Sequence, residues 1–287
     1  MLTKYSSLSR KLPKFLYKTL AQSYIDYNFP RHIFVELTAN CNLSCEYCPR
    51  EKRKEDIDFG LFTSIIDEAS QYGARSFSLH LFGEPLLYSK ILDAIRYIKS
   101  KNKRHTILLT TNGTLLNKYS KDLVDLGVDR IIWSWRRNNF NAETIRVLKK
   151  IGMIRLLIEE TPKDEFERWS KFPRVEVKHL HNYGGNIDVK KWGIDDVLPE
   201  RYPCYHLWLA PAVRWNGEIV ECCNIPASGT EVLGRYPDDT ISDVWNGEGL
   251  KKLRDSHLKG IYPGACGKCT SWQAYPNIFF RSQCQSA

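Results

Sequence analysis

From residue 31 to residue 187 the chain alternates between short apolar runs and longer segments with helical spacing, and this rhythm restricts the fold more than any other feature. Strands are expected at 32–37, 76–81, 106–111, 130–135, 153–158 and 175–180, with helices between them at 60–71, 89–100, 119–126, 142–151 and 163–171. Short connections between such units imply a parallel sheet with covered strands, an α/β fold. Periodicity alone leaves an open doubly wound sheet and a barrel equally available. Beyond residue 187 the rhythm stops.

Cys41, Cys45 and Cys48 stand in the loop that leaves the first expected strand, within the segment Glu-Leu-Thr-Ala-Asn-Cys-Asn-Leu-Ser-Cys-Glu-Tyr-Cys-Pro-Arg. Three thiols at this spacing can be aimed at one metal centre. A 4Fe-4S cluster is normally closed by four thiolates, so a triad without a nearby fourth leaves one iron open. The competing reading is structural zinc, which usually pairs two Cys or Cys/His knuckles into a tetrahedron. No further Cys or His lies close enough in sequence to complete one.

Cys-x3-Cys-x2-Cys, with Tyr47 just before the third cysteine, resembles the cluster loop of the radical S-adenosylmethionine (radical SAM) enzymes. In that family the open iron is chelated by S-adenosylmethionine, which an electron from the cluster cleaves to methionine and a 5'-deoxyadenosyl radical. The resemblance implies a partial (β/α)6 TIM-like barrel with its active site at the strand C-terminal ends. Gly83-Glu84-Pro85, after the second strand, is similar to the family motif that receives the cofactor's ammonium group. Thr111-Asn112-Gly113, after the third, is similar to its Thr-Asn-Gly segment. Ser134 and Arg146 match positions that often contact the cofactor carboxylate, and Arg136 stands where relatives commonly carry Asp. Arg136 and Arg137 are equally readable as donors to a substrate carboxylate or phosphate and as solvent-facing loop residues. Glu159 and Glu160, ending the fifth strand, are open between cofactor ribose and substrate.

Six more cysteines lie in the last third: Cys204, Cys222, Cys223, Cys266, Cys269 and Cys284. Residues 212–220 read as strand, Trp215-Asn216-Gly217-Glu218 turn and strand. Cys-x12-Gly-x4-Cys followed by Cys-x2-Cys resembles the SPASM and shorter twitch extensions of the family, which hold auxiliary 4Fe-4S clusters. Cys204, Cys222, Cys266 and Cys269 would suffice for one such cluster, although four thiols can also make a zinc site. Cys223 is expected to point away from it, and Cys284 is either free or a replacement ligand. The resulting division is an N-terminal amphipathic helix within 1–30, a core over 31–187, a linker over 188–203 and a small cysteine-rich extension over 204–287.

Nine cysteines without a secretory signal pattern read as thiols in a reducing cytoplasm. No apolar run is long enough to suggest a membrane span. A net charge of +9 favours an anionic substrate or partner, and the basic residues before Asp26 add membrane-surface or nucleic-acid binding as options for the first helix. The expected activity is hydrogen abstraction from a small molecule, ending in oxidation or epimerisation assisted by one auxiliary cluster. An oxidation needs a base and an epimerisation a hydrogen donor, for which Cys223 or Cys284 could serve. The resemblance also implies a flavodoxin- or ferredoxin-like electron donor. The alternatives are a peptide- or protein-modifying maturase and, from another class, a non-catalytic zinc- and nucleic-acid-binding protein.

Overall fold

The computed structural model of the chain describes residues 28–194 and 203–271. The helix expected near the N-terminus, the middle of the expected linker and Cys284 lie outside the described residues. Strands β1 (His32–Val35), β2 (Ser76–Ser78), β3 (Thr106–Thr111), β4 (Arg130–Ser134), β5 (Gly152–Leu157) and β6 (Val175–Lys178) alternate with α1 (Phe59–Gln71), α2 (Ile91–Lys101), α3 (Leu116–Asp125), α4 (Ala142–Ile151) and α5 (Lys163–Trp169). Each strand from β1 to β6 pairs in parallel with the next. Every expected strand and helix in this stretch is present, with ends shifted by a few residues.

Local chemistry accounts for the helices. Phe62, Ile65, Ile66 and Ala69 of α1, and Ile91, Ala94, Ile95 and Ile98 of α2, repeat at i, i+3, i+4 and i+7, so each helix buries one stripe. Asp58 caps α1 by accepting from the Leu61 amide, and Asn141 caps α4 by accepting from that of Thr144. No residue separates α4 from β5. The join needs Gly152, because a Cβ there would lie 2.5 Å from the Leu148 carbonyl oxygen.

Alternation along the strands divides the sheet into two unlike faces. Ile33, Val35, Phe77, Ile107, Leu109, Ile131, Trp133, Ile154 and Leu156 share one apolar core with buried residues of all five helices. A doubly wound sheet would divide its helices between both faces, so that alternative drops out. The other face carries His32, Ser78, Thr110, Arg155, Glu176 and Lys178, together with a small apolar cluster of Phe34, Leu209, Ala210, Ala212 and Val220.

The sheet does not end where the βα rhythm does. β7 (Ala212–Val213) lies parallel to β1, and β8 (Glu218–Val220) and β9 (Val232–Arg235) continue antiparallel, giving nine strands in the order β6-β5-β4-β3-β2-β1-β7-β8-β9. The expected hairpin turn is present. Gly217 takes φ +84°, and a Cβ would sit 2.5 Å from the Tyr236 carbonyl oxygen. The short helices α6 (His206–Leu209), α7 (Ile241–Asn246), α8 (Glu248–Leu258) and α9 (Ala265–Lys268) complete the C-terminal part. No helix among the described residues is long and apolar enough to cross a membrane.

Candidate active site and cysteine centres

The loops after β1, β2 and β3 converge. Gly83 lies so close to the first that a Cβ would fall 1.9 Å from the Thr38 carbonyl oxygen, and the Glu84 amide donates to Asn40 O at 2.8 Å. The Glu84 carboxylate, 2 % exposed, accepts from Thr111 Oγ1 at 2.7 Å, the Asn112 amide at 2.8 Å and the Leu86 amide at 3.2 Å. Asn112 Nδ2 donates to Asn42 Oδ1 at 2.9 Å and reaches Cys41 Sγ at 3.9 Å. Glu84 thus ties the three loops together.

Burial pushes the Cys48 thiol up, and Cys45 and Cys41 beside it push it further. A coordinated iron would hold that thiol as its thiolate, which suits a cluster. Arg136 adds positive charge there: its Nη2 donates to Cys45 Sγ at 3.2 Å, its guanidinium lies over the Tyr47 ring, and Nη1 bonds the Trp135 carbonyl. The Tyr47 hydroxyl is buried without a hydrogen-bond partner among the described residues. Pro85 opens a buried 3-10 turn, and Ser134, half-buried, ends β4 opposite Arg155.

One expectation is corrected, and for Arg137 one of two alternatives is taken. Arg146 lies on the outer side of α4, its side chain 70 % exposed and bonded to Glu143 at 3.0 and 2.7 Å, because Thr144, Val147 and Leu148 form that helix's buried stripe. Arg137 is exposed, unlike its neighbour Arg136. Glu159 is also occupied, accepting from the Leu180 amide at 2.9 Å and pairing with His179 at 2.6 Å; Glu160 is half-buried.

Cys204, Cys222, Cys266 and Cys269 line one cavity, together with His206 and His257. Burial raises the Cys266 thiol, and Cys222 and Cys204 raise it further. The amides of Asn224 and Ser271 donate to Cys222 Sγ and Cys269 Sγ, each at 3.3 Å. Amides aimed at sulfur in this way stabilise cluster thiolates and help set their potential. Cys223 is not part of that lining; it packs on the inner-face cluster with its Sγ 4.0 Å from His206 Nε2, and its thiol hydrogen-bonds that of Cys222.

A strained turn joins the two centres. Asn182, 1 % exposed, donates Nδ2 to Lys268 O at 2.6 Å and accepts from the Thr270 amide at 3.0 Å, and its own amide donates to Thr270 Oγ1 at 2.9 Å. Tyr183 follows at φ 47°, a left-handed conformation that costs a non-glycine residue about 1 kcal/mol or more. Gly184 and Gly185 continue it, packed against Ala265 and Lys268. The Tyr183 ring meets His181 and Phe82, and burial raises its phenol, followed by the nearby Cys48.

Sequence reasoning missed Arg155, Glu176, Lys178, His80, His181 and Tyr183, which face this region. The available signal was charge at alternate positions of otherwise apolar strands.

Residues 35–134 match the model of the radical SAM superfamily, and residues 204–270 that of the SPASM iron-sulfur cluster-binding domain. A tungsten-containing aldehyde ferredoxin oxidoreductase cofactor-modifying protein of Pyrococcus furiosus is 32% identical over 84% of this chain and 87% of its own length. BtrN in complex with AdoMet and 2-DOIA superimposes with a TM-score of 0.65 at 21% identity, over 84% of this chain and 93% of that one. Streptococcus suis SuiB bound to precursor peptide SuiA gives 0.60 at 16% identity, over 82% and 68%. The chain belongs to the radical SAM superfamily, with a C-terminal SPASM domain, and binds S-adenosylmethionine and two 4Fe-4S clusters.

Proposed function

We propose that this enzyme is a maturase, which uses the 5'-deoxyadenosyl radical to modify a peptide, or a group carried by a protein, within the curved inner face of a partial (β/α)6 barrel. The observation that carries the reading is the 32% identity along nearly the whole chain to a protein named for modifying the cofactor of another enzyme. The peptide in the SuiB complex adds to it. So does β6, which ends the nine-stranded sheet with Val177 39 % exposed and Ile158, just past β5, 44 % exposed. Among the described residues no strand pairs with the outer edge of β6, and such an edge can receive an extended chain.

Cys41, Cys45 and Cys48 would hold the first cluster, and Cys204, Cys222, Cys266 and Cys269 the second. Tyr47, Gly83, Asn112 and Ser134 would meet S-adenosylmethionine. When bound, these groups supply a radical that removes a hydrogen atom from the substrate and a sink for the electron left behind. The protein's own contribution is placement. Glu84 locks the three loops, Arg136 offsets thiolate charge at Cys45, and the Asn182–Gly185 turn fixes one centre relative to the other.

Oxidation or epimerisation of a free small molecule is the second reading, favoured by BtrN, which shares the fold and was crystallised with 2-DOIA. Cys223 would then be the candidate hydrogen donor.

The test has two parts. Anaerobically reconstituted enzyme should hold about eight irons and release 5'-deoxyadenosine, whereas a Cys41, Cys45, Cys48 triple Ala variant should hold about four and release none. Release should then rise with the macromolecular fraction of a dialysed extract. Stimulation by the dialysable fraction alone would overturn the maturase reading in favour of the second.

A further inference from the structure

The second cysteine centre has one more thiol beside it than the four that line it. Successive side chains on an extended strand point to opposite faces. The chain bends at Glu221, straight after β8, and the thiols of the neighbouring Cys222 and Cys223 hydrogen-bond each other. Cys222 lines the cavity, while Cys223, half-buried, packs with Phe34, Leu209, Ala210, Ala212 and Val220 on the inner face. Cys223 Sγ also lies 4.0 Å from His206 Nε2, within reach of a hydrogen bond to sulfur. Cys222, Cys223 and His206 thus form a continuous run of polar contacts.

The ligand role of Cys222 sets the direction of those contacts. A cysteine bound to iron is a thiolate and can only accept. The Asn224 amide already donates to Cys222 Sγ at 3.3 Å, and the Cys223 thiol is its second donor. With its own proton committed to Cys222, the Cys223 sulfur can only accept from His206. His206 is 5 % exposed and held neutral, pushed down to about 4 by burial first and by the Lys178 ammonium second, so its ring carries one proton. That proton sits on Nε2, against Cys223. Nδ1 is then a bare lone pair, and it is buried without a hydrogen-bond partner among the described residues. A lone pair is the cheaper group to leave so, since orphaned N–H groups are rarer than under-used acceptors in folded proteins.

We propose that Cys223 and His206 form a hydrogen-bond relay that ends on the Cys222 thiolate and raises the reduction potential of the second cluster. Cys223 is a positioning residue of that cluster and not a fifth ligand, and His206 acts through it. Donors to a cluster's sulfurs stabilise its reduced, more negative form over the oxidised one. The relay therefore makes the cluster a better acceptor for the electron left by hydrogen abstraction. This deepens the function given above and rests on the assignment of Cys204, Cys222, Cys266 and Cys269 to the second cluster. It gives Cys223 work at the cluster in place of a hydrogen-donor role at a substrate.

The experiment uses the full chain with Cys41, Cys45 and Cys48 replaced by Ala, reconstituted anaerobically so that the second cluster is read alone. Iron content is measured first, and the midpoint potential then comes from a mediated redox titration followed by electron paramagnetic resonance. Loss of the donor in Cys223→Ala, or in Cys223→Val, which fills more of the space, should make the cluster about tenfold harder to reduce, a fall of about 59 mV for one electron. Cys223→Ser keeps an O–H donor and should stay closer to the parent. His206→Leu should lower the midpoint in the parent but not in the Cys223→Ala background, whereas His206→Gln, which can place an N–H where Nε2 stands, should keep it. Equal midpoints in a fully loaded parent and its Cys223→Ala and His206→Leu variants would overturn the proposal alone. Iron that survives Cys222→Ala but not Cys223→Ala would also overturn it, by making Cys223 the ligand. A parent that holds no iron would overturn the ligand assignment, and the proposal with it.

Discussion

Asn182→Ala should detach the second cysteine centre while leaving the first in place. The side chain is buried and supplies one donor to Lys268 O and one acceptor to the Thr270 amide, the residues that flank Cys269. Alanine removes both and leaves two partly buried backbone groups without those partners. Each such loss costs about 1–2 kcal/mol for groups only partly buried, so the segment should be destabilised by about 2–4 kcal/mol in total. Since about 1.4 kcal/mol is a tenfold change in an equilibrium constant, local opening of residues 264–271 should become between about 30-fold and several hundred-fold more frequent. Hydrogen exchange of peptides spanning that segment measures the effect directly. Iron content should fall from about eight towards about four, with the iron that remains bound at the first loop. Asn182→Asp is nearly isosteric but sets an acceptor against the Lys268 carbonyl, and should be no better than Ala. If Asn182→Ala exchanged at the wild-type rate and kept all its iron, the coupling assigned to this turn would be wrong.

Gly83→Ala would drive a Cβ to 1.9 Å from the Thr38 carbonyl oxygen and 2.9 Å from that of Asn40. The β2 loop must then retreat from the cysteine loop, at a cost of about 1–3 kcal/mol. 5'-Deoxyadenosine release should drop by more than tenfold, while iron at the C-terminal centre stays, as measured in the background of the Cys41, Cys45, Cys48 variant. Glu36, 5 % exposed between the Phe82 and Trp215 amides, is raised by burial from 4.5 to about 7. A carboxyl raised on folding stabilises below its unfolded value, and that contribution is lost as pH rises through the folded one. Wild type should therefore lose about 3 kcal/mol relative to Glu36→Gln between pH 4.5 and pH 7, followed by urea unfolding of both proteins. Parallel pH profiles for the two would refute the assignment.

The outer layer of the fold was legible because its rules are local. Ile33 and Val35, or Ile107 and Leu109, alternate in phase with helices whose own stripes repeat at i, i+3 and i+4, and both patterns are written in adjacent residues. The cysteine loop and the strand-end motifs were legible for a similar reason, each being a short contiguous run. The inner face was not. Arg155, Glu176 and Lys178 are typical surface residue types, and only their neighbours across the sheet make them a half-buried triad. The pairing of β7 with β1 joins segments far apart in sequence and follows no local periodicity. Arg146 is a different case. The buried stripe of Thr144, Val147 and Leu148 already turned it outward, and helical phase should have outweighed the spacing carried over from relatives.

That long-range pairing also bears on how the protein comes into being. Phe34 and Val35 lie beside Ala212 and Val213, so the β1 flank remains exposed until most of the chain has been synthesised. An early intermediate would present a run of bare amides and carbonyls next to Phe34, an invitation to pair with another nascent chain. Removing the C-terminal third would do more than delete a cluster. It would uncover that flank permanently, and the shortened protein should accumulate as aggregates rather than as a smaller enzyme.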